Sequence, residues 1–284
     1  MTSQLNSVVI FPGIATEYEG LWRTQWKEDG FDYPGLLKDF QSGRVTGQRL
    51  VTGSPYRTVH RVKVGQREFV IKTDSNVSKI DKRLEKRLFV MFFGTQYSRL
   101  IRKTAAAINK GCQVVQDIYL VSEKMEGRHC QEAYIIAEYI AGHSFIREEY
   151  QEGAEVVFRR PGPWLVNMAE SLATLHDYGL ASNDSIISNF IVTPQGEVKV
   201  IDLTLNGPMI ICQVNDILKM RRSYQTEVPV RSPIRRVLVG IVGFWNSLRY
   251  KIRKLRGKLP APPPKKIWED YNQFPERPER TSKK

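Results

Sequence analysis

The sequence predicts an α+β fold in two lobes, the first built on an antiparallel sheet with helices and the second mostly helical. Residues 49–72 alternate apolar and polar side chains at the period of two that is typical of strands. Residues 163–176 instead repeat apolar side chains at helical spacing. A chain of 284 residues with 41% hydrophobic residues is long enough to bury a core in each lobe.

The N-terminal residues 1–44 carry clustered aromatic side chains without a clear period. We expect a short helix at 33–40 and loop elsewhere. We also expect this N-terminal extension to pack on the first lobe. The aromatic residues concerned are Trp22, Trp26, Phe31, Tyr33 and Phe40.

The first lobe is expected to span residues 45–142. Its predicted elements are strands at 49–51, 58–64 and 67–72, helices at 77–92 and 95–109, and strands at 114–124 and 133–140. Lys72 ends an apolar strand, where a flexible ammonium group can reach inward to a phosphate. Glu85 lies beside the apolar stripe of a basic helix. It either pairs with Lys72 or forms a surface pair with a neighbouring basic side chain.

The second lobe is expected to span residues 143–230. Its predicted elements are the helix at 163–176, a hairpin of strands at 190–192 and 198–201, and a helix at 214–223. His176, at the end of the first of these helices, is expected to have a structural role rather than that of a ligand.

Three polar residues of the second lobe have the spacing of a phosphoryl-transfer site. Asp184 precedes Asn189 by five positions, and Asp202 follows an apolar strand. Protein kinases use Asp-x-x-x-x-Asn for the catalytic loop and a strand-end aspartate for the metal. Each residue alone could serve as a turn or capping residue, and it is the joint spacing that favours a catalytic site.

The segment after Asp202 differs from that of a protein kinase. Leu203-Thr204 stands in place of Phe-Gly, only 13 residues separate Asp202 from Asp216, and no Ala-Pro-Glu follows. The long activation segment with which protein kinases bind a peptide is therefore missing. We expect the acceptor to be a small molecule or a glycan.

The net charge of +13 is concentrated in the C-terminal tail, since residues 231–284 hold 15 Lys and Arg against 4 Asp and Glu, a net of +11. Residues 233–259 predict a basic amphipathic helix, which lies on an anionic membrane surface, packs on the second lobe, or does both. Residues 260–284 are rich in proline and basic residues and are expected to be disordered. The apolar stripe of the helix consists of Ile234, Leu238, Ile241, Trp245, Leu248, Ile252 and Leu255.

Composition also argues against several classes of protein. The main body is nearly neutral, which argues against nucleic-acid binding. The N-terminus has no basic region ahead of an apolar run, and no stretch approaches the roughly 18 apolar residues of a spanning helix. Three scattered cysteines indicate a reduced compartment. We therefore expect a cytoplasmic protein that is peripheral to a membrane.

These residues resemble the bacterial lipopolysaccharide core heptose kinases, which are small members of the protein-kinase-like superfamily. The resemblance covers about residues 45–225 and extends beyond the superfamily core. The segments that carry it are Lys82-Arg-Leu-Glu-Lys-Arg-Leu, Ala107-Ile-Asn-Lys-Gly-Cys-Gln-Val-Val-Gln-Asp, Ser122-Glu-Lys, Tyr134-Ile-Ile-Ala-Glu-Tyr-Ile and Leu175-His-Asp-Tyr-Gly-Leu-Ala-Ser.

The resemblance implies a two-lobed protein-kinase-like fold and an ATP-dependent phosphorylation of a heptose, or another sugar, in the lipopolysaccharide inner core. It implies that Asp184 accepts the proton of the sugar hydroxyl and that Asn189 and Asp202 hold Mg²⁺. It further implies that Lys72 holds the α- and β-phosphates of ATP and that Glu85 orients Lys72. The partners would be the core glycolipid and, through the basic tail, the anionic surface of the inner membrane.

Four further residues are implied in nucleotide binding. Glu138 and Ile140 would offer backbone groups to adenine at the end of a strand, as in the hinge of a protein kinase. Gly53 and Ser54 lie in the predicted phosphate loop, which has one glycine where the protein-kinase pattern has three.

The catalytic loop departs from the family pattern as well, because Ser182-Asn183 precedes Asp184 where His-Gly or His-Arg is usual. In addition, Ile186-Ile187-Ser188 replaces a stretch that is usually more polar. The alternative interpretation is a catalytically inactive pseudokinase that acts as a scaffold at the inner-membrane surface.

Overall fold

The computed structural model of the chain describes residues 13–50, 56–75, 94–127, 129–145, 148–152, 155–205, 207–255 and 266–270. The predicted helix at 77–92 with Glu85, and the phosphate-loop residues Gly53 and Ser54, lie outside these ranges. Two compact units make up the chain. The first is Met1–Ile140 with Leu203–Met209, and the second is Ala141–Asp202 with Ile210–Lys284.

The first unit is built on an antiparallel sheet, in which seven of the described strands lie in the order β1-β2-β6-β7-β5-β4-β3. Every neighbouring pair is antiparallel. The predicted α+β class, with an antiparallel sheet early in the chain, is confirmed. The strands are β1 Ile14–Glu19, β2 Trp22–Lys27, β3 Gln48–Leu50, β4 Arg57–Val64, β5 Arg67–Asp74, β6 Ile118–Glu126 and β7 His129–Glu138.

Strands β1 and β2 correct the prediction of loop before the first helix. They form a hairpin whose second strand pairs with β6, so the N-terminal extension belongs to the sheet itself. Thr16 and Gln25 are buried and joined by a hydrogen bond of 3.2 Å between their side chains. Polar residues at buried positions hide the apolar alternation by which a strand is recognised in a sequence.

Helix α1 (Tyr33–Gln41) packs on this sheet and confirms the helix predicted at 33–40. It begins where the Asp32 carboxylate accepts a hydrogen bond from the Gly35 amide at 2.8 Å, as an N-cap does. The ring of Tyr33 is fully buried and stacks on Tyr119 with 5.1 Å between centroids. The core around it comprises Leu36, Leu37, Val62, Phe69, Ile71, Leu120 and Ile136. Aromatic packing of the N-terminal region on the first lobe is therefore present.

Helix α2 (Gln96–Asn109) follows the undescribed segment and agrees with the helix predicted at 95–109. Its N-cap is Thr95, whose hydroxyl accepts a hydrogen bond from the Ser98 amide at 3.2 Å. The chain then leaves the helix through Gly111, which has a φ of 93° that favours glycine.

The second unit combines three long helices with short strands in its described part. The helices are α3 Gly162–Asp177, α4 Met209–Tyr224, which begins one residue before this unit, and α5 Pro233–Leu255. The strands are β8 His143–Ser144, β9 Glu148–Glu152, β10 Glu155–Arg160, β11 Phe190–Val192, β12 Val198–Val200 and β13 Lys266–Asp270. They form two sheets, in the orders β13-β10-β9 and β12-β11-β8. The predicted hairpin at 190–201 is thus observed as β11 and β12.

Strand β13 differs from the disorder expected for residues 260–284. It pairs in parallel with β10, with Lys266 opposite Val156. The Arg160 guanidinium holds its end through a contact of 2.5 Å to the Asp270 carboxylate. Residues 266–270 thus add an edge strand to the sheet of β9 and β10. None of the helices in the described ranges combines the length and hydropathy needed to cross a membrane.

Candidate active site

Lys72 lies on β5 in the middle of the first unit's sheet, between Val59 of β4 and Ile135 of β7. Its ammonium group donates a hydrogen bond to the side-chain oxygen of Gln116 at 3.3 Å. The amide nitrogen of Gln116 in turn donates to the carbonyl of Glu138 at 2.8 Å. Gln116 therefore links two residues that the sequence assigned to ATP binding.

Glu138 ends β7 and is fixed by Asp117. Its amide donates to the Asp117 carbonyl at 2.9 Å, and its carboxylate accepts from the Asp117 amide at 3.3 Å. A carbonyl has two lone pairs, so that of Glu138 can accept a second hydrogen bond beside the one from Gln116. Ile140, two residues on, is buried. These contacts give the candidate adenine-binding backbone a fixed position.

The loop of Asp184 to Asn189 is closed on itself in the second unit. The Asn189 side-chain amide donates to the Asp184 carbonyl at 2.8 Å, and the Ile186 amide donates to the same carbonyl at 2.7 Å. The Asn189 carbonyl also accepts from the Ile201 amide at 2.8 Å. Because Ile201 immediately precedes Asp202, the structure brings together the three residues that were predicted from their spacing.

Two residues of this region have left-handed backbone, since Asn183 and Asp202 both adopt a φ of 56°. Asparagine and aspartate tolerate this region better than other residues with a side chain. Asn183 therefore satisfies a conformational requirement of the loop, and its departure from the family pattern has a structural reason.

A buried aspartate on α4 holds the residues that precede Asp184. The Asp216 carboxylate accepts a hydrogen bond from the Ser182 amide at 2.9 Å and lies 3.1 Å from the Nε2 atom of His176. Burial raises the pKa of Asp216 above its ordinary value, an effect that its hydrogen bond to His176 opposes. His176, itself buried, has the structural role expected of it.

Helix α4 makes two further contacts with the loop. The Lys219 ammonium contacts the Asp184 carboxylate. The Tyr224 hydroxyl accepts a hydrogen bond from the Ile187 amide at 3.2 Å. The roles of Lys219, Tyr224 and Gln116 could not be predicted from the sequence, because none of these residues belongs to a motif of fixed spacing.

The loop also carries ligand atoms of the kind that Mg²⁺ prefers. Asp202 offers a carboxylate. Asn189 uses its side-chain nitrogen on the Asp184 carbonyl, so its side-chain oxygen is the atom that remains for a cation. Carboxylate and amide oxygens suit a hard divalent cation that also binds phosphate oxygens. These two residues fit the predicted metal site in chemistry.

The chain has the fold of a phosphotransferase organised like the protein kinases. It carries the residue types that such enzymes use, namely a lysine on an antiparallel sheet, an Asp-x-x-x-x-Asn loop closed by its own asparagine, and an aspartate after a short strand. The family described as "Lipopolysaccharide core biosynthesis protein (WaaY)" matches residues 22–258. The chain belongs to that family, which confirms the resemblance inferred from its sequence.

Individual relatives were found among curated proteins and solved structures. The lipopolysaccharide core heptose(II) kinase WaaY of Escherichia coli (strain K12) is 25% identical over 232 residues, which are 81% of this chain and 92% of that protein. The structure of WaaP in complex with acyl carrier protein is 16% identical, with a TM-score of 0.40, and the match covers 80% of this chain and 94% of that one. A mutant form of the PknI kinase domain of Mycobacterium tuberculosis is 14% identical, with a TM-score of 0.40, covering 66% of this chain and 75% of that one.

Proposed function

We propose that this protein transfers the γ-phosphoryl group of ATP to a hydroxyl group of a heptose in the lipopolysaccharide inner core. The family and the E. coli relative, which is named a heptose(II) kinase, support this sugar. The observation that carries the chemistry is the hydrogen bond of 2.8 Å from the Asn189 side chain to the Asp184 carbonyl. It fixes the candidate base and a candidate metal ligand relative to each other.

The proposed reaction depends mainly on positioning and on neutralisation of charge. Asp184, with its side chain 51% exposed, accepts the proton of the acceptor hydroxyl as that oxygen attacks the γ-phosphorus. Asn189 and Asp202 hold Mg²⁺, which when bound neutralises phosphate charge. Lys72 holds the α- and β-phosphates, and Gln116 steadies its ammonium group. Glu85, Gly53 and Ser54 keep their proposed roles in orienting Lys72 and binding phosphate.

The backbone of Glu138 and Ile140 is proposed to bind the adenine edge. Its fixed position at the end of β7 supports this role, because a rigid donor and acceptor pair loses little entropy on binding.

A glycan acceptor is supported by the chain after Asp202. Helix α4 begins at Met209, so only a short connection follows the candidate metal ligand. Protein kinases place a long segment there to bind a peptide. A kinase without it leaves the acceptor side open to a large saccharide.

The proposal is tested by incubating the full-length protein and Mg-ATP with core glycolipid that lacks heptose phosphate. We expect the glycolipid mass to increase by one phosphate, with release of one ADP per phosphate transferred. Fragmentation of the product should place the phosphate on a heptose. A phosphate on another core sugar would show that the acceptor is not a heptose. No transfer with any divalent metal would favour the interpretation as a catalytically inactive scaffold.

We further propose that α5 binds the protein to the anionic surface of the inner membrane. Arg235 and Val239 are buried on one face of this helix, and the Arg235 guanidinium lies 3.5 Å from the Asp177 carboxylate. Most of the predicted apolar stripe faces solvent instead. Residues on this apolar face that are more than half exposed are Ile234, Val237, Ile241, Phe244 and Trp245.

The charge of the tail supports a lipid partner for this apolar face. Residues 231–284 carry a net charge of +11, and Arg236, Arg249 and Lys251 are exposed on α5 itself. Each basic residue near an anionic surface contributes about 1 kcal/mol to binding. A basic helix with exposed tryptophan and phenylalanine has the composition of one that lies in the headgroup region.

Binding to vesicles tests the membrane proposal. The Phe244→Ser, Trp245→Ser double variant should bind phosphatidylglycerol-containing vesicles at least about tenfold more weakly than the wild type, because two apolar side chains no longer leave water. The matched control is Leu21→Ser, Val166→Ser, at two exposed apolar residues elsewhere. Equal binding by both variants, or equal binding of the wild type to purely zwitterionic vesicles, would contradict the proposal.

A further inference from the structure

The candidate catalytic loop has no cation of its own. Residues 177–198, which include Asp184 and Asn189, contain neither lysine nor arginine. Transfer of a phosphoryl group spreads negative charge over its equatorial oxygens, and enzymes place cations against that charge. Any basic side chain beside the acceptor end of the reaction therefore comes from another element.

Helix α4 supplies such a side chain in Lys219, and hydrogen bonds attach the helix to the loop on both sides of this residue. At one end the Asp216 carboxylate accepts from the Ser182 amide at 2.9 Å, while the Ser185 hydroxyl donates to the Asp216 carbonyl at 3.3 Å. At the other end the Tyr224 hydroxyl accepts from the Ile187 amide at 3.2 Å. Lys219 lies between these attachments, and its ammonium contacts the Asp184 carboxylate.

The exposure of the two partners indicates which of them faces a substrate. The Lys219 side chain is 27% exposed, whereas that of Asp184 is 51% exposed. The ion pair is therefore covered on the lysine side and open on the carboxylate side. A pair this exposed contributes little to folding, so stability gives no strong reason for it.

We propose that Lys219 is a catalytic residue of the phosphoryl transfer, a role that rests on the proposed kinase function. One of its three N–H groups holds the Asp184 carboxylate, and the others bind the γ-phosphoryl oxygens. The acceptor oxygen forms a bond to the γ-phosphorus and gives its proton to Asp184. The bond from that phosphorus to the bridging oxygen breaks, and ADP leaves with its electrons.

The test compares Lys219→Met, Lys219→Arg and the control Arg222→Met in the full-length protein with Mg-ATP and core glycolipid. Arg222 is an exposed residue of the same helix, so its replacement removes the same charge away from the loop. We expect Lys219→Met to lower kcat about 100-fold, as loss of one transition-state donor does. The KM for ATP should change less than about threefold if the contact forms mainly in the transition state. Lys219→Arg should restore most of the activity, and thermal unfolding should be unchanged.

Each outcome separates this proposal from the proposed function. Wild-type kcat in Lys219→Met would overturn the catalytic role alone, and a raised kcat would show that Lys219 restrains Asp184. A low kcat matched by a lower melting temperature, with no rescue by arginine, would make the residue structural. Hydrolysis of ATP without acceptor is measured in parallel. If the wild type hydrolyses ATP without transferring phosphate to the glycolipid, and Lys219→Met hydrolyses ATP more slowly, the proposed acceptor is wrong and the role of Lys219 stands. If the wild type is inactive in both assays, both proposals are wrong.

Discussion

Asp202→Asn is expected to abolish phosphoryl transfer, with a loss of roughly 10³-fold or more in kcat. The change removes one negative charge from the proposed metal site and leaves the shape of the side chain almost unaltered. A bound metal contributes several kcal/mol of charge stabilisation, and each 1.4 kcal/mol corresponds to a factor of about ten in rate. The replacement is also the one that the backbone tolerates best, because Asp202 has a φ of 56° and asparagine accepts this conformation.

The measurement is the rate of transfer to core glycolipid over a series of Mg²⁺ and Mn²⁺ concentrations. Asp202→Ala should lose as much activity but should also unfold at a lower temperature, since alanine is strained at this φ. Glu197→Gln is the control, because it removes a carboxylate from the exposed turn of the same hairpin. Activity within about tenfold of the wild type in Asp202→Asn would show that the metal is held elsewhere.

The sequence predicted the parts of the fold and site that depend on local spacing. The step of five from Asp184 to Asn189 is such a part, because the asparagine closes its own loop through a hydrogen bond to Asp184. The hairpin of β11 and β12 is another, since its turn and strands follow one another in the chain. In these cases the pattern and the contact lie close together in the chain.

Contacts between residues far apart in the chain could not be predicted from the periodicity of the sequence. Gln116 reaches Lys72 across 44 positions, and Asp216 reaches Ser182 across 34. Lys219 reaches Asp184 across 35 positions, from a helix whose sequence shows only that it is amphipathic and basic at its end. The sequence predicted the residues that are proposed to act on phosphate and metal. The side chains that hold those residues depend on tertiary packing.

Two of the strand regions that the sequence did not predict have different physical origins. Strand β1 was missed because Thr16 is buried and hydrogen-bonded to Gln25, which interrupts the apolar alternation. Strand β13 was missed because its composition is that of a disordered tail. Backbone pairing with β10 and the contact from Arg160 to Asp270 depend on a partner strand 110 positions away.

The departure of Ser182-Asn183 from the family pattern bears on whether the loop is intact. Ser182 is fully buried and gives its amide to Asp216, and Asn183 accepts a left-handed φ. Both residues therefore do what the backbone of a positioned catalytic loop requires. The identity of these two residues does not by itself argue for a pseudokinase. A test of the candidate base, Asp184, distinguishes an active kinase from a pseudokinase.

Asp184→Asn is expected to lower kcat by roughly 10² to 10⁴-fold, the range that a positioned general base contributes. The amide keeps an oxygen that can accept from Lys219 and from the sugar hydroxyl, so binding of both substrates should remain close to that of the wild type. Only the ability to take the proton is lost. Asp184 is half exposed, and we therefore expect little change in the melting temperature.

The matched control is Asp39→Asn, because Asp39 has a similar side-chain exposure of 42% and pairs with Arg44 at 2.6 Å. It reproduces the loss of one exposed ion pair far from the loop in sequence. A base predicts a large fall in kcat with an unchanged KM for ATP in Asp184→Asn and none in the control. If Asp184→Asn instead restored normal core phosphorylation in a strain that lacks this protein, the loop would serve binding rather than proton transfer. The chain would then be a scaffold that keeps the shape of a catalytic loop without its chemistry.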